Sequence, residues 1–109
     1  MRPLNDDASI AFLRGIRTRL RPFAGSFTLH ELTSRPWASV TFSGARHRIC
    51  FTLEGDGAGA AADEFLGSMA EAEFALRGHI LADISLAEEQ REAPDRVRIS
   101  LEALTVKDD

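Results

Sequence analysis

Two stretches near the C-terminal end alternate apolar and polar residues at every second position, and this pattern constrains the fold most. The first runs from Phe74 to Leu86 and the second from Val97 to Ala103. A period of two indicates extended strands with one apolar and one polar side. The charged segment between them contains Pro94, which is typical of a hairpin loop. The pattern therefore predicts a long antiparallel hairpin that forms the floor of a one-sided sheet.

Shorter patterns earlier in the chain predict two helices and three further strands. Pro22 ends the first helix, because the residue before a proline resists helical backbone angles. Arg35-Pro36 predicts a turn between two strands, the second of which has Val40 and Phe42 pointing inward. The predicted elements are a helix over residues 6–21, strands over 26–33, 37–42 and 46–54, and a second helix over 60–72.

The full order of predicted elements is therefore α-β-β-β-α-β-β. A helix between two antiparallel groups of strands packs on the apolar side of their sheet, and the first helix is expected to do the same. We therefore expect one α+β domain over residues 1–109. It is a two-layer sandwich, in which a five-stranded antiparallel sheet carries two helices on one face.

This element order resembles that of the type III secretion chaperones. These are small, acidic, homodimeric proteins of α-β-β-β-α-β-β-α layout that hold an unfolded segment of an effector. The resemblance is one of topology alone, and the predicted order lacks the third helix. It implies a homodimer that binds another protein.

Charge is distributed unevenly along the chain. Residues 1–50 hold eight arginines and three acids, a formal charge of +5, whereas residues 51–109 hold five basic residues and fourteen acids, a formal charge of −9. Surfaces of opposite sign on one small domain can bring two copies together. The single cysteine, Cys50, excludes an internal disulfide. It favours the cytoplasm, as does the lack of a leader-like or membrane-spanning apolar run.

The polar side of the predicted sheet is the first candidate site. It carries arginines, hydroxyl groups and histidines in a chain that is acidic overall. A half-exposed antiparallel sheet has polar residues on its outer side whether or not that side has a function. The candidate partner- or ligand-binding residues are Trp37, His30, Arg46, Arg48, Arg77, His79, Arg96 and Arg98. We expect a non-catalytic protein-binding module, homodimeric or bound to another protein, that acts through this side or through an edge of the sheet.

Three other functions receive less support from the sequence. The arginines of this side predict, as the main alternative, a small-molecule or anion-binding protein. A small hydrolase or transferase would use His30, His79 or Cys50, which have no established catalytic or metal-binding spacing. Nucleic acid is disfavoured, because Trp37 is the one exposed aromatic residue expected on this side. The glycine run at 57–62 fits a flexible turn into a helix, so no cofactor is expected.

Overall fold

Four long antiparallel strands form a single sheet in the computed structural model, and two helices pack against one side of it. The structure describes residues 7–71, 74, 76 and 78–107. The strand order is β1-β2-β4-β3, so β2 and β4 are central and β1 and β3 are the edges. The elements are α1 (Asp7–Arg19), β1 (Ser26–Ala38), β2 (Ser43–Glu54), α2 (Ala58–Ser68) with a short 3-10 turn (Met69–Glu71), β3 (His79–Ala93) and β4 (Arg96–Lys107).

The core lies between the helices and the central strands, as the alternation in those strands predicts. Ile49 and Phe51 of β2 and Ile99 of β4 are fully buried. Helix α1 contributes Phe12 and Ile16, which are four residues apart and therefore on one helix face. The expectation that the helices cover the side of Ile99 is thus confirmed, and Arg98 on the opposite side is exposed.

A buried polar cluster joins α1 to the sheet. His47 is 2% exposed and lies beside the ring of Phe12. Hydrogen bonds of 2.8 Å join its Nδ1 to Ser9 Oγ and its Nε2 to Thr105 Oγ1. His47 therefore lies on the helix side of β2, as Ile49 and Phe51 do. Its two ring nitrogens connect the helix with β4, so this cluster fixes how α1 sits on the sheet.

The predicted five-stranded sheet is wrong, because two of the predicted strands are one. Arg35 and Pro36 lie inside β1, which continues to Ala38. A proline is tolerated there because β1 is an edge strand. The chain turns at residues 39–42 instead, so Val40 and Phe42 are exposed rather than inward. The observed order is α-β-β-α-β-β, and the resemblance to type III secretion chaperones, which needs three strands between the helices, is lost.

The C-terminal hairpin is also longer and less regular than predicted. Strand β3 ends at Ala93, and the turn is only Pro94-Asp95, so the charged segment expected to be a loop is strand. The register with β4 slips at three places, at Ala82, Ala87 and Glu92. Each slip is a bulge, and a bulge changes which side the following residues face. The regular alternation predicted across this strand is therefore wrong.

Candidate interaction surface

The side of the sheet that faces away from the helices is the polar face. Direct cross-strand partners share a side of an antiparallel sheet, so the strand register assigns its residues to levels. Each level contains one residue from β1, β2, β4 and β3, in that order, and the first level is the one nearest the β1–β2 turn. The six levels are Trp37, Gly44, Val106 and Ile80; Arg35, Arg46, Leu104 and Asp83; Thr33, Arg48, Glu102 and Ser85; Glu31, Cys50, Ser100 and Glu88; Thr28, Thr52, Arg98 and Gln90; and Ser26, Glu54, Arg96 and Ala93.

Arg48 lies at the centre of the polar face and is held by carboxylates on both neighbouring strands. Its Nη1 donates to Glu102 Oε2 at 2.9 Å, and its Nε lies 3.6 Å from Glu31 Oε1. All three side chains are more than one-third exposed. Exposed ion pairs of this kind stabilise a fold by at most about 1 kcal/mol. They do fix the directions in which the charges point.

Arg35 and Arg46 are directly opposite each other on β1 and β2. Both are exposed, and neither has an ion pair within the part of the chain that the structure describes. Asp83 is at the same level on the far edge strand and is likewise unpaired within that part. These residues line a shallow depression of about 520 Å³ together with those of the Arg48 level. Like charges at opposed positions destabilise a sheet, so the fold itself gives no reason for this pair.

The level nearest the β1–β2 turn is apolar. Ile80 is 53% exposed, and Trp37 and Val106 are half-buried. The side-chain N–H of Trp37 is shielded from solvent and has no hydrogen-bond partner among the described residues. Gly44 lies at the same level, and a residue with a side chain does not fit there because its Cβ would clash with the carbonyl oxygen of Thr105. The polar face thus ends in an apolar strip bordered by two unpaired arginines.

The remaining predicted site residues do not gather at one place. His30 sits at a bulge in β1, with its Nε2 2.7 Å from Thr52 Oγ1. Arg96 is paired with Glu92 at 3.1 Å, at the end of the sheet opposite to Trp37. Arg98 is exposed one level away from Arg96. Arg77 lies outside the described residues.

His79 does not belong to the polar face. It pairs with Lys107, two residues beyond buried Thr105, and this register assigns it to the helix side. His30, Cys50 and His79 therefore do not converge, and no group of residues able to hold a metal is found in the described ranges. Cys50 is 4% exposed. The arginines form a spread surface, because Arg46 is three levels away from Arg98.

The edge of α2 carries one further charged cluster, on the helix side of β3. Arg91 donates to Glu89 Oε2 and to Asp63 Oδ1, both at 2.6 Å. The hydrogen bond that Arg91 donates to Glu89, followed by the one to Asp63, raises the pKa of Arg91 above its ordinary value. The guanidinium is charged at any working pH, so the cluster ties α2 to the edge strand.

The sequence interpretation missed Arg35, Leu104, Val106 and the reversal of Ile80. One signal was present for Arg35. Thr33, Arg35 and Trp37 continue the alternation of β1 through Pro36, which an edge strand accepts. Nothing in the sequence indicated the position of Ile80, because the bulge at Ala82 does not change the alternation of apolar and polar residues along β3.

Comparison of this chain with family models, curated proteins and solved structures gives no match. The described part of the chain contains no helix long and apolar enough to cross a membrane. Any functional conclusion therefore depends on the geometry of the chain's own residues.

Proposed function

We propose that this protein is a non-catalytic protein-binding module that forms a homodimer through its polar face. The observation that carries the proposal is that this face complements itself. A twofold axis parallel to the strands, lying between β2 and β4, would stack two copies face to face. Such an axis places β1 of one copy over β3 of the other, and β2 over β4, with every level facing the same level.

The contacts at each level then join unlike partners. Arg35 meets the partner's Asp83, Arg48 meets the partner's Glu102, and Glu54 meets the partner's Arg96. In the apolar strip, Trp37 meets the partner's Ile80. Both members of the Arg35–Asp83 contact lack an ion pair within the described chain. Glu31 and the partner's Glu88 are the exception, as two exposed carboxylates at one level.

The size of the polar face suits a stable dimer. Four strands about 4.8 Å apart and about 12 residues long, at about 3.3 Å per residue, offer roughly 700–800 Å² per copy. Specific interfaces of standard size bury about 800 Å² per partner. Aromatic residues and arginines, which this face carries, are enriched in such interfaces.

The sheet edges are less suitable for association than the face. Strand addition needs a long, regular edge with unpaired backbone groups. Edge strand β3 is interrupted by three bulges, and β1 by one bulge and Pro36. The polar face carries the small residues Cys50 and Ser100 on its two central strands, where both are almost fully buried between their neighbours.

Site-directed crosslinking tests the arrangement. Thr33→Cys and Ser85→Cys are made separately in a Cys50→Ala background, and the two proteins are mixed with a short bismaleimide. Position 33 of one copy faces position 85 of the other, so we expect a covalent dimer from the mixture and little from either protein alone. The matched control mixes Thr33→Cys with Gln90→Cys, which lies on the same edge strand two levels away, about 13 Å along it.

Two results would rule out the proposal. One is a monomeric wild-type protein in sedimentation equilibrium at about 100 µM, a weak affinity for an interface of this size. The other is equal crosslinking in the matched and mismatched mixtures. The proposal includes the cytoplasm as the location, where a free buried cysteine such as Cys50 stays reduced.

The alternative, a small-molecule or anion-binding protein, has one observation in its favour, and it concerns anions. Arg35 and Arg46 place two guanidinium groups side by side that have no ion pair in the described part of the chain, and guanidinium forks bind phosphate and carboxylate well. The other arginines weigh against it, since Arg48 and Arg96 already have carboxylate partners. The substitution Asp83→Arg distinguishes the two functions, because it should strengthen the binding of an anion and weaken the homodimer.

A further inference from the structure

The turn between β1 and β2 displays apolar residues away from the body of the protein. Val40 is completely exposed and Phe42 is 60% exposed. Both belong to a run of ten uncharged residues, 36–45, that lies between Arg35 and Arg46. Large apolar side chains cost least when they are buried, so two of them at one projecting turn require an explanation.

The turn is held in one shape by its own hydrogen bonds. The Ser39 N–H donates to the Phe42 carbonyl oxygen at 2.7 Å, and the Phe42 N–H donates to Ser39 Oγ at 3.1 Å. The exposure of the two apolar side chains is therefore a property of an ordered turn. The apolar strip of Trp37 and Ile80 continues from the turn onto the sheet, where Ile80 is also exposed.

We propose that the Ser39–Phe42 turn docks onto the surface of a bilayer that contains anionic lipids. A projecting tip needs no complementary pocket on a lipid surface, whereas a protein partner would have to provide one. Val40 and Phe42 would enter the boundary between headgroups and acyl chains, and Trp37 suits the interfacial level just behind them.

The charges around the turn favour anionic headgroups. Arg35 and Arg46 lie one level behind the apolar strip and have long side chains that can reach the headgroups. Lys107 lies at the same end of the sheet. Asp83 is the acidic residue on the polar face at this level, and Asp108 and Asp109 follow Lys107 in the sequence. They reduce the attraction without placing a negative charge within residues 35–46.

The opposite end of the sheet carries charges of both signs, because Glu54, Asp56 and Asp95 near the β3–β4 turn lie at the same end as Arg96 and Arg98. Charge of mixed sign gives that end little attraction to an anionic surface, whereas the Ser39–Phe42 turn combines exposed apolar side chains with Arg35 and Arg46. The inference does not require the homodimer. If the dimer forms, its axis parallel to the strands points both turns the same way, which adds avidity. Arg46 and Lys107 then supply the attraction to headgroups, because Arg35 faces the partner's Asp83.

Vesicle binding tests this inference with the full chain. Trp37 is the single tryptophan and lies three residues from Val40, so its fluorescence reports insertion directly. We expect a blue shift and co-sedimentation with vesicles of phosphatidylcholine and phosphatidylglycerol in equal parts, and much weaker binding to phosphatidylcholine alone. The double variant Val40→Asn/Phe42→Ser should bind the mixed vesicles at least about tenfold more weakly, because it lacks the two apolar side chains that would be buried in the bilayer.

Leu86→Asn is the matched control, since Leu86 is an exposed apolar residue on β3 away from the turn. It should bind as the wild type does. Wild-type protein that ignores both kinds of vesicle, or a turn variant that binds as tightly as the control, overturns the inference and leaves the turn to a protein partner. Neither substituted turn residue lies on the polar face, so the oligomeric state measured in parallel shows separately whether the homodimer fails.

Discussion

Reversing the charge of Arg35 tests how the two copies align in the proposed homodimer, because it should change the affinity of the dimer without changing the stability of the monomer. Arg35 and Asp83 are on opposite edges of the same sheet, about three strand spacings or 14 Å apart, so they do not pair within one chain. In the dimer each Arg35 faces the partner's Asp83. We therefore expect Arg35→Asp to weaken the dimer while leaving the monomer's unfolding free energy within about 0.5 kcal/mol of wild type.

The size of the effect follows from the twofold symmetry. Losing an exposed ion pair costs about 0.2–1 kcal/mol, and placing two like charges at the same site costs a similar amount. One substitution changes two contacts in a symmetric dimer, so the total is about 1–4 kcal/mol. This corresponds to a dissociation constant raised by about fivefold to several hundredfold.

Sedimentation equilibrium at low and high salt measures this change. Asp83→Arg should weaken the dimer as Arg35→Asp does, and the double variant Arg35→Asp/Asp83→Arg should recover most of the lost affinity. Added salt should reduce all these differences, because exposed charges are screened. Arg21→Asp makes the same change of charge at an exposed position outside the polar face and should leave the dimer unchanged.

The same variants distinguish the dimer from an anion-binding site. An anion held by Arg35 and Arg46 would gain from Asp83→Arg, since a neighbouring negative charge becomes positive. The homodimer would lose affinity from that substitution. Dimers of unchanged affinity in Arg35→Asp, or a double variant no tighter than either single variant, would show that the strands do not face each other in the proposed register.

Two further predictions concern the fold that presents this surface. His47→Ala should lower the free energy of unfolding in urea by about 2–4 kcal/mol, because a buried side chain and its hydrogen bonds to Ser9 and Thr105 are lost; a loss below about 1 kcal/mol would contradict the proposed role of this cluster. Phe51→Ala, in the fully buried core, should cost about 3–5 kcal/mol, whereas Phe42→Ala at the exposed turn should change stability by less than about 1 kcal/mol. Equal losses at the two phenylalanines would mean that the turn is part of the core.

The central strands could be predicted from the sequence because they are buried on one side and regular. Phe51 and Ile99 fall on the period that a half-buried strand imposes, and both are fully buried. The edge strands could not be predicted equally well. An edge accepts a proline, charges and bulges, because half of its backbone groups face solvent. Pro36 and the charges before Pro94 therefore indicated turns and loops where the chain continues as strand.

The candidate surface was predictable as a side of the sheet but not as a set of contacts. Arg46, Arg48, Arg96 and Arg98 do lie on the polar face, as their alternation indicates. Which charges meet across strands depends on the register, and the register depends on turn lengths that the sequence interpretation assigned wrongly. The pairing of Arg48 with Glu102 appears only when β2 and β4 are aligned, and so does the lack of an ion pair for Arg46 within the described residues.

The bulge at Ala82 explains both why β3 was hard to predict and how the polar face acquires its edge residues. In a regular strand Ile80 and Asp83 would face opposite sides, because they are three residues apart. The extra residue at Ala82 puts both on the polar face, at the levels of Trp37 and Arg35 on the other edge. The feature that made β3 unpredictable from its alternation is thus the feature that gives the polar face complementary edges. Since bulges also make an edge unfit for strand addition, the same irregularity favours association through the face.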